Sequence, residues 1–137
     1  MKQVEELIRG EISAIESFDV VMKKLDDVQE KQRLSSIRED HVNALNTLKR
    51  FSENEFESGV QDSGPWGSFT KSFAGGASLF GDKAALRALK VGEEYGRKEY
   101  KALLDDTSID SSLREVITTE LLPAQERHIQ TIDGYLH

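Results

Sequence analysis

The chain is predicted to be all-α, a bundle of four long helices. Apolar residues recur every three to four positions through most of its 137 residues, and only two prolines interrupt them. A single Gly/Ser-rich stretch divides the pattern into two halves of similar design.

The first helix is expected over about residues 2–26. Val4, Leu7, Ile8, Ile12, Ile15, Phe18, Met22 and Leu25 share one face, and Asp26-Asp27 ends it. The second, about 28–54, carries Leu34, Ile37, Ala44, Leu45, Leu48 and Phe51 at a/d-type spacing. A crossover over residues 55–81 contains ESGVQDSGPWGSFTKSFAGGASLFG. Within it Pro65 suits the first position of a short extra helix, where its missing N–H costs nothing. Trp66, Phe69 and Phe73 then form a stripe expected to plug an open end of the core.

The third helix, about 82–104, has Asp82 as its expected N-cap and turns Ala85, Leu86, Leu89, Gly96, Tyr100 and Leu103 inward. The fourth, about 110–136, does the same with Leu113, Ile117, Leu121, Ala124, Thr131, Ile132 and Tyr135. Pro123 lies inside it and removes one hydrogen bond, which predicts a kink near Thr119–Leu122. The crossover is about 26 residues long, enough to run the roughly 37 Å length of a helix. Helices two and three are therefore expected to be parallel, within one domain spanning residues 1–137.

Composition narrows the function. With no cysteine, disulfide frameworks, thiolate metal sites and cysteine catalysis are excluded, and a reducing compartment is expected. Lys+Arg 18 against Asp+Glu 25 gives a net charge of −7 with no basic stripe, so nucleic acid is not an expected partner. No apolar run approaches a membrane span and MKQVEELIRGE lacks the pattern of a signal peptide. A cytoplasmic protein with no membrane partner is expected.

The two halves repeat each other. REDHVNALN (Arg38–Asn46) and QERHIQTID (Gln125–Asp133) agree in kind at most positions, with His41 matched to His128. Gly10-Glu11 precedes Phe18 as Gly92-Glu93 precedes Tyr100, and Ala14 matches Gly96. The chain thus reads as two duplicated helical hairpins. The polar members of the repeat stand on apolar rows. Glu11 falls in the row of Val4, Phe18 and Leu25, and His41 in that of Leu34, Ile37 and Leu48. Glu93 falls in the row of Leu89, Gly96 and Tyr100, and His128 in that of Leu121, Ala124 and Tyr135. Four ionisable groups therefore face the bundle axis, where unpaired burial costs several kcal/mol. Counting from the turns puts Glu11 and His41 level. It sets His128 about two turns beyond Glu93, with Glu120 as the alternative at that height.

This pattern, with GPWGSF, SLFGDKAALRALKVGEEYG and ELLPAQERHI, resembles the ferritin-like superfamily, and within it an uncharacterised bacterial branch, a domain of unknown function. The resemblance covers almost the whole chain. It implies a ferritin-like four-helix bundle holding iron or another divalent metal, with Glu11, His41, Glu93 and His128 as ligands. The family's paired Glu-x-x-His motifs are incomplete here, because Arg38 and Gln125 stand where the glutamates belong. Arg38 is expected to bring positive charge to the site, and Arg38→Glu to strengthen it. Binding is expected to weaken below about pH 6, where the histidines charge.

Other readings stand beside this one. Without an ion the four groups would form a hydrogen-bonded Glu–His network, and the chain would be a metal-free helical interaction or scaffold module, open to homo-oligomer formation. The small residues Ala14, Gly92 and Gly96 leave room for a small-molecule ligand. Glu39 and Glu126 are expected on solvated faces or in interhelical salt bridges, and Tyr95, Tyr100 and Tyr135 in the core or at its rim. Gly75-Gly76 lacks the setting of a phosphate loop, and no Ser-His-Asp arrangement is evident. Enzymatic activity is left open.

Overall fold

The computed structural model describes residues 2–52 and 81–136, and all regular structure among them is helical. Helix α1 spans Lys2–Lys24, α2 Val28–Phe51 and α3 Asp82–Leu104. A fourth rod follows: α4 (Ser111–Val116), a π-helical turn (Ile117–Leu121) and α5 (Leu122–Leu136). The four rods pack against one another. The expected crossover, with its short helix at Pro65 and its stripe of Trp66, Phe69 and Phe73, lies outside the described residues.

Local chemistry sets the helix boundaries. Asp27 caps α2, its Oδ1 accepting from the backbone N–H groups of Gln29 (2.9 Å) and Glu30 (3.1 Å). The α1–α2 turn is therefore Leu25–Asp27, with Leu25 folded into the core. Asp110 caps α4 through Ser112 N–H at 2.8 Å. The expected Asp82 cap is corrected: Gly81 holds the N-cap position with φ +98°, and Asp82 is the first helical residue. The left-handed backbone there suits glycine. Asp82 keeps a favourable place in the positive first turn.

At Pro123 the rod neither breaks nor keeps α-helical bonding. Leu122 N–H donates to the carbonyl of Ile117, five residues back, so the change of winding sits one turn before the proline. The proline cannot donate to the carbonyl of Thr119, and the wider turn accommodates that loss.

The core falls into two apolar clusters. One joins Val4, Leu7 and Ile8 at the start of α1 to Leu48, Leu103, Leu113 and Ile117. The other joins Phe18, Val21 and Leu25 to Leu34, Ala85, Leu89 and Ile132. The starts of α1 and of the fourth rod thus lie with the ends of α2 and α3. Helices α2 and α3 run parallel, and the chain leaves α2 at one end of the bundle and enters α3 at the other. A simple up-and-down meander is excluded. Between the two clusters lies a layer of buried polar groups. No helix among the described residues is long and apolar enough to cross a membrane.

Candidate metal centre

The layer contains all four ionisable residues that the apolar rows turn inward. Glu11, His41, Glu93 and His128 are each 5% exposed or less. His41 stands at the middle. Its Nδ1 lies 2.5 Å from Glu11 Oε2 and its Nε2 lies 2.5 Å from Glu93 Oε1. Carboxylates only accept, so both ring nitrogens donate and the ring is an imidazolium. Burial works against that charge, but Glu93 and Glu11 outweigh it and hold the pKa of His41 well above its ordinary value. Burial likewise pushes Glu93 up, yet the charge of His41 and the contacts from both histidines bring it down to about 2.

His128 is held differently. Its Nε2 lies 2.9 Å from Asp40 Oδ2 and must carry the proton, since Asp40 can only accept. Its Nδ1 is buried without a hydrogen-bond partner among the described residues. That nitrogen faces Glu93 Oε2 at 3.6 Å, too far for a hydrogen bond. The two imidazole centroids are 4.9 Å apart. One donor atom each from His41, Glu93 and His128 then lies within 4.8 Å of the others.

Each of these three groups has its own outer partner. Glu11 accepts from His41 and is itself fixed by the Tyr100 hydroxyl, which donates to Oε1 at 2.6 Å. Asp40 orients His128. Gln125 Nε2 donates to Glu93 Oε2 (2.5 Å) and to the Glu93 carbonyl (2.8 Å). Both acceptors lack protons, so chemistry fixes which way the amide faces. Gly96 makes room for it: a Cβ there would sit 2.7 Å from Gln125 Nε2. Beside this group, at the α1–α3 seam, is a cavity of about 30 Å³ lined by Gly10, Gly92, Glu11 and Glu93. It has room for a water molecule.

The donor set suits a divalent first-row ion, two imidazoles and a carboxylate being a common mixed N/O combination. Bonds of about 2.0–2.1 Å require donors roughly 3–4 Å apart. Glu93 would move away from His41 by somewhat less than an ångström, and the His41 Nε2 proton would leave. The orphaned Nδ1 of His128 would gain the partner it lacks. Glu11, behind the far nitrogen of His41, is placed to accept the remaining N–H. Such carboxylate–histidine pairs commonly orient metal ligands.

Several expectations change. Arg38 does not approach the site: it points outward, with Nε 2.6 Å and Nη2 3.3 Å from the Asp19 carboxylate. Glu120 is exposed, and His128 is level with Glu93. The first turn of α4 overhangs the end of α3, for Arg114 bonds back to the Leu104 carbonyl at 2.7 Å. Counted from that contact, Glu93 is 104 − 93 = 11 residues back and His128 is 128 − 114 = 14 on. The π turn takes up part of what remains. Glu39 is exposed and Glu126 pairs across helices with Arg97 (3.1 Å), both as expected, whereas Tyr95, expected in the core or at its rim, is half exposed.

Sequence reasoning assigned no site role to Asp40 or Tyr100 and read Gln125 only as a missing carboxylate. One signal for Tyr100 was available: it matches Phe18 in the repeat, and its hydroxyl is the added feature. Compared with protein-family models, curated proteins and solved structures, the chain shows no match.

Proposed function

We propose that this protein binds one divalent metal ion, iron or another first-row metal, through His41, Glu93 and His128 in the core of a ferritin-like bundle. The observation that carries this is His128 Nδ1: a buried ring nitrogen with no hydrogen-bond partner among the described residues, turned toward Glu93 at 3.6 Å while Asp40 holds the opposite nitrogen. A structural histidine would use both nitrogens, because leaving one buried and unsatisfied costs about 1–3 kcal/mol. The parallel α2 and α3, and the repeat that matches Glu11 and His41 with Glu93 and His128, support the ferritin-like assignment.

When bound, an ion with three protein donors keeps open positions and supplies Lewis-acid chemistry or, for iron, one-electron chemistry. The rest is done by the chain's own groups. Glu11 holds the Nδ1 proton of His41 and frees Nε2 to act as a donor, and Tyr100 keeps Glu11 facing that ring. Gln125 occupies the second oxygen of Glu93, which favours one ion over two.

Metal analysis of protein purified without chelator, followed by Fe(II) and Zn(II) titration, tests the proposal. About one equivalent is expected for the wild type and none for Glu93→Ala or His128→Ala. A wild type that takes up neither ion overturns it. A second reading is favoured by His41, whose two hydrogen bonds are complete without an ion. The layer is then a buried polar network and the protein a helical interaction module. The exposed Val91 and Tyr95 of α3 offer a surface for homo-oligomer contacts. Sedimentation of the metal-free protein separates the readings, since only the module requires self-association or a partner.

A further inference from the structure

The seam between α2 and α5 is the loosely closed side of the bundle. The backbones of these helices come near each other at few points, and the Asp40–His128 contact spans the gap. A groove of about 220 Å³ opens to solvent there. His128 and Asp40 form its floor, Arg33 and Ser36 of α2 one rim, and Arg127 and Thr131 of α5 the other. A second hollow adjoins it along α2 at Arg33 and Ser36.

Among the described residues the two arginines stand out by their lack of partners. Arg9, Arg38 and Arg97 are each paired with a carboxylate. Arg114 donates to backbone carbonyls and Arg50 to Thr47. Among the described residues Arg33, Arg87 and Arg127 have no hydrogen-bond or ion-pair partner, and two of these three line this groove. Among the described lining residues Asp40 is the one carboxylate, and it already accepts from His128. The unspent groups are thus two guanidinium forks and two hydroxyls on opposing walls, a donor set matched to an oxyanion.

We propose that the α2–α5 groove binds a small phosphate-class oxyanion, free or carried by a small molecule. The guanidinium groups of Arg33 and Arg127 grip it from the two walls, with Ser36 and Thr131 as neutral donors. Phosphate is favoured over a carboxylate because its greater number of acceptor oxygens can engage both guanidinium forks at once, even though Asp40 offsets one of the two positive charges. The inference does not rest on the metal reading. It does place the bound anion across the His128 ring from the three donor atoms, so an anchored molecule would lie beside the metal centre.

The test uses the full ¹⁵N-labelled chain, stripped of metal and dialysed free of chelator. Inorganic phosphate is titrated at constant ionic strength while the Nε–H resonances of Arg33 and Arg127 are followed, with chloride and acetate as separate arms. Saturable shifts confined to groove residues are expected with phosphate. Half-saturation should be about tenfold weaker, or lost, in Arg33→Gln and Arg127→Gln. Both positions are exposed, so folding should be unaffected. Shifts that never saturate, that chloride reproduces, or that persist in both variants would overturn the proposal. Acetate binding as tightly as phosphate would overturn the phosphate assignment. Metal-free protein makes failure here independent of failure at the ion.

Discussion

Acid should dismantle the polar layer through Glu93 in a window that can be stated in advance. Its pKa is brought from an ordinary 4.5 to about 2 in the folded protein. A lowered carboxylate pKa contributes stability that is fully present above the unfolded value and is lost as pH falls through the folded one. The difference, 4.5 − 2, converts at about 1.4 kcal/mol per pH unit to about 3 kcal/mol. His41 has the opposite sign: its raised pKa contributes below about 6.5 and is lost as pH rises through the folded value. The layer of the metal-free protein should therefore be most stabilising between about pH 4.5 and 6.5. Urea unfolding of wild type and Glu93→Gln, followed by circular dichroism, isolates the term because other carboxylates cancel between the two. The gap between them should be about 2.5 kcal/mol wider at pH 5.5 than at pH 2.5, where the folded carboxylate is still partly ionised. A gap that stays constant across that range would refute the assignment of an ionised, doubly contacted Glu93.

Four further outcomes are expected. Metal affinity should begin to fall while pH is still above 6.5, and not only below about 6, because the proton on His41 is held more tightly than usual; calorimetry across pH 6–9 checks the onset. Asp40→Asn should weaken ion binding by about 10–100-fold without unfolding the protein, as loss of a ligand's orienting carboxylate does. Gly96→Ala should cost about 1–3 kcal/mol by driving its Cβ against Gln125, whereas Gly134→Ala, which meets nothing within 4 Å, should be neutral or slightly stabilising in thermal melts. Arg38→Glu should change stability by about 1 kcal/mol or less and leave metal uptake unaltered, because the pair it breaks, with Asp19, is partly exposed.

The four rods, and the inward facing of Glu11, His41, Glu93 and His128, were legible because burial follows helical periodicity. A polar residue on an apolar row has nowhere else to go. The parallel run of α2 and α3 followed from the length of the segment between them. What lay beyond reading were features that depend on side-chain reach or on small changes in winding. Arg38 flanks the inner row, and its long stem could have turned toward the site or toward Asp19; only the packed structure decides. Asp40 reaches His128 because α2 and α5 are splayed by a distance that sequence does not encode locally. The level of His128 depended on the overhang at Arg114 and on the π turn, and counting residues from a loop detects neither.

The π turn makes the site tolerant of a kind of mutation that substitutions do not probe. Ile117–Leu121 contains one residue more than α-helical winding would need. Losing the codon for Thr118, an exposed residue, should restore α-helical winding. Everything beyond would keep its facing, because four α-helical residues turn the chain through nearly the same angle as five in the wider turn. His128 and Gln125 would stay in the polar layer. A single in-frame deletion at this turn should thus leave the centre armed, whereas in a rod wound as α-helix throughout the same loss would turn everything beyond it by about 100°.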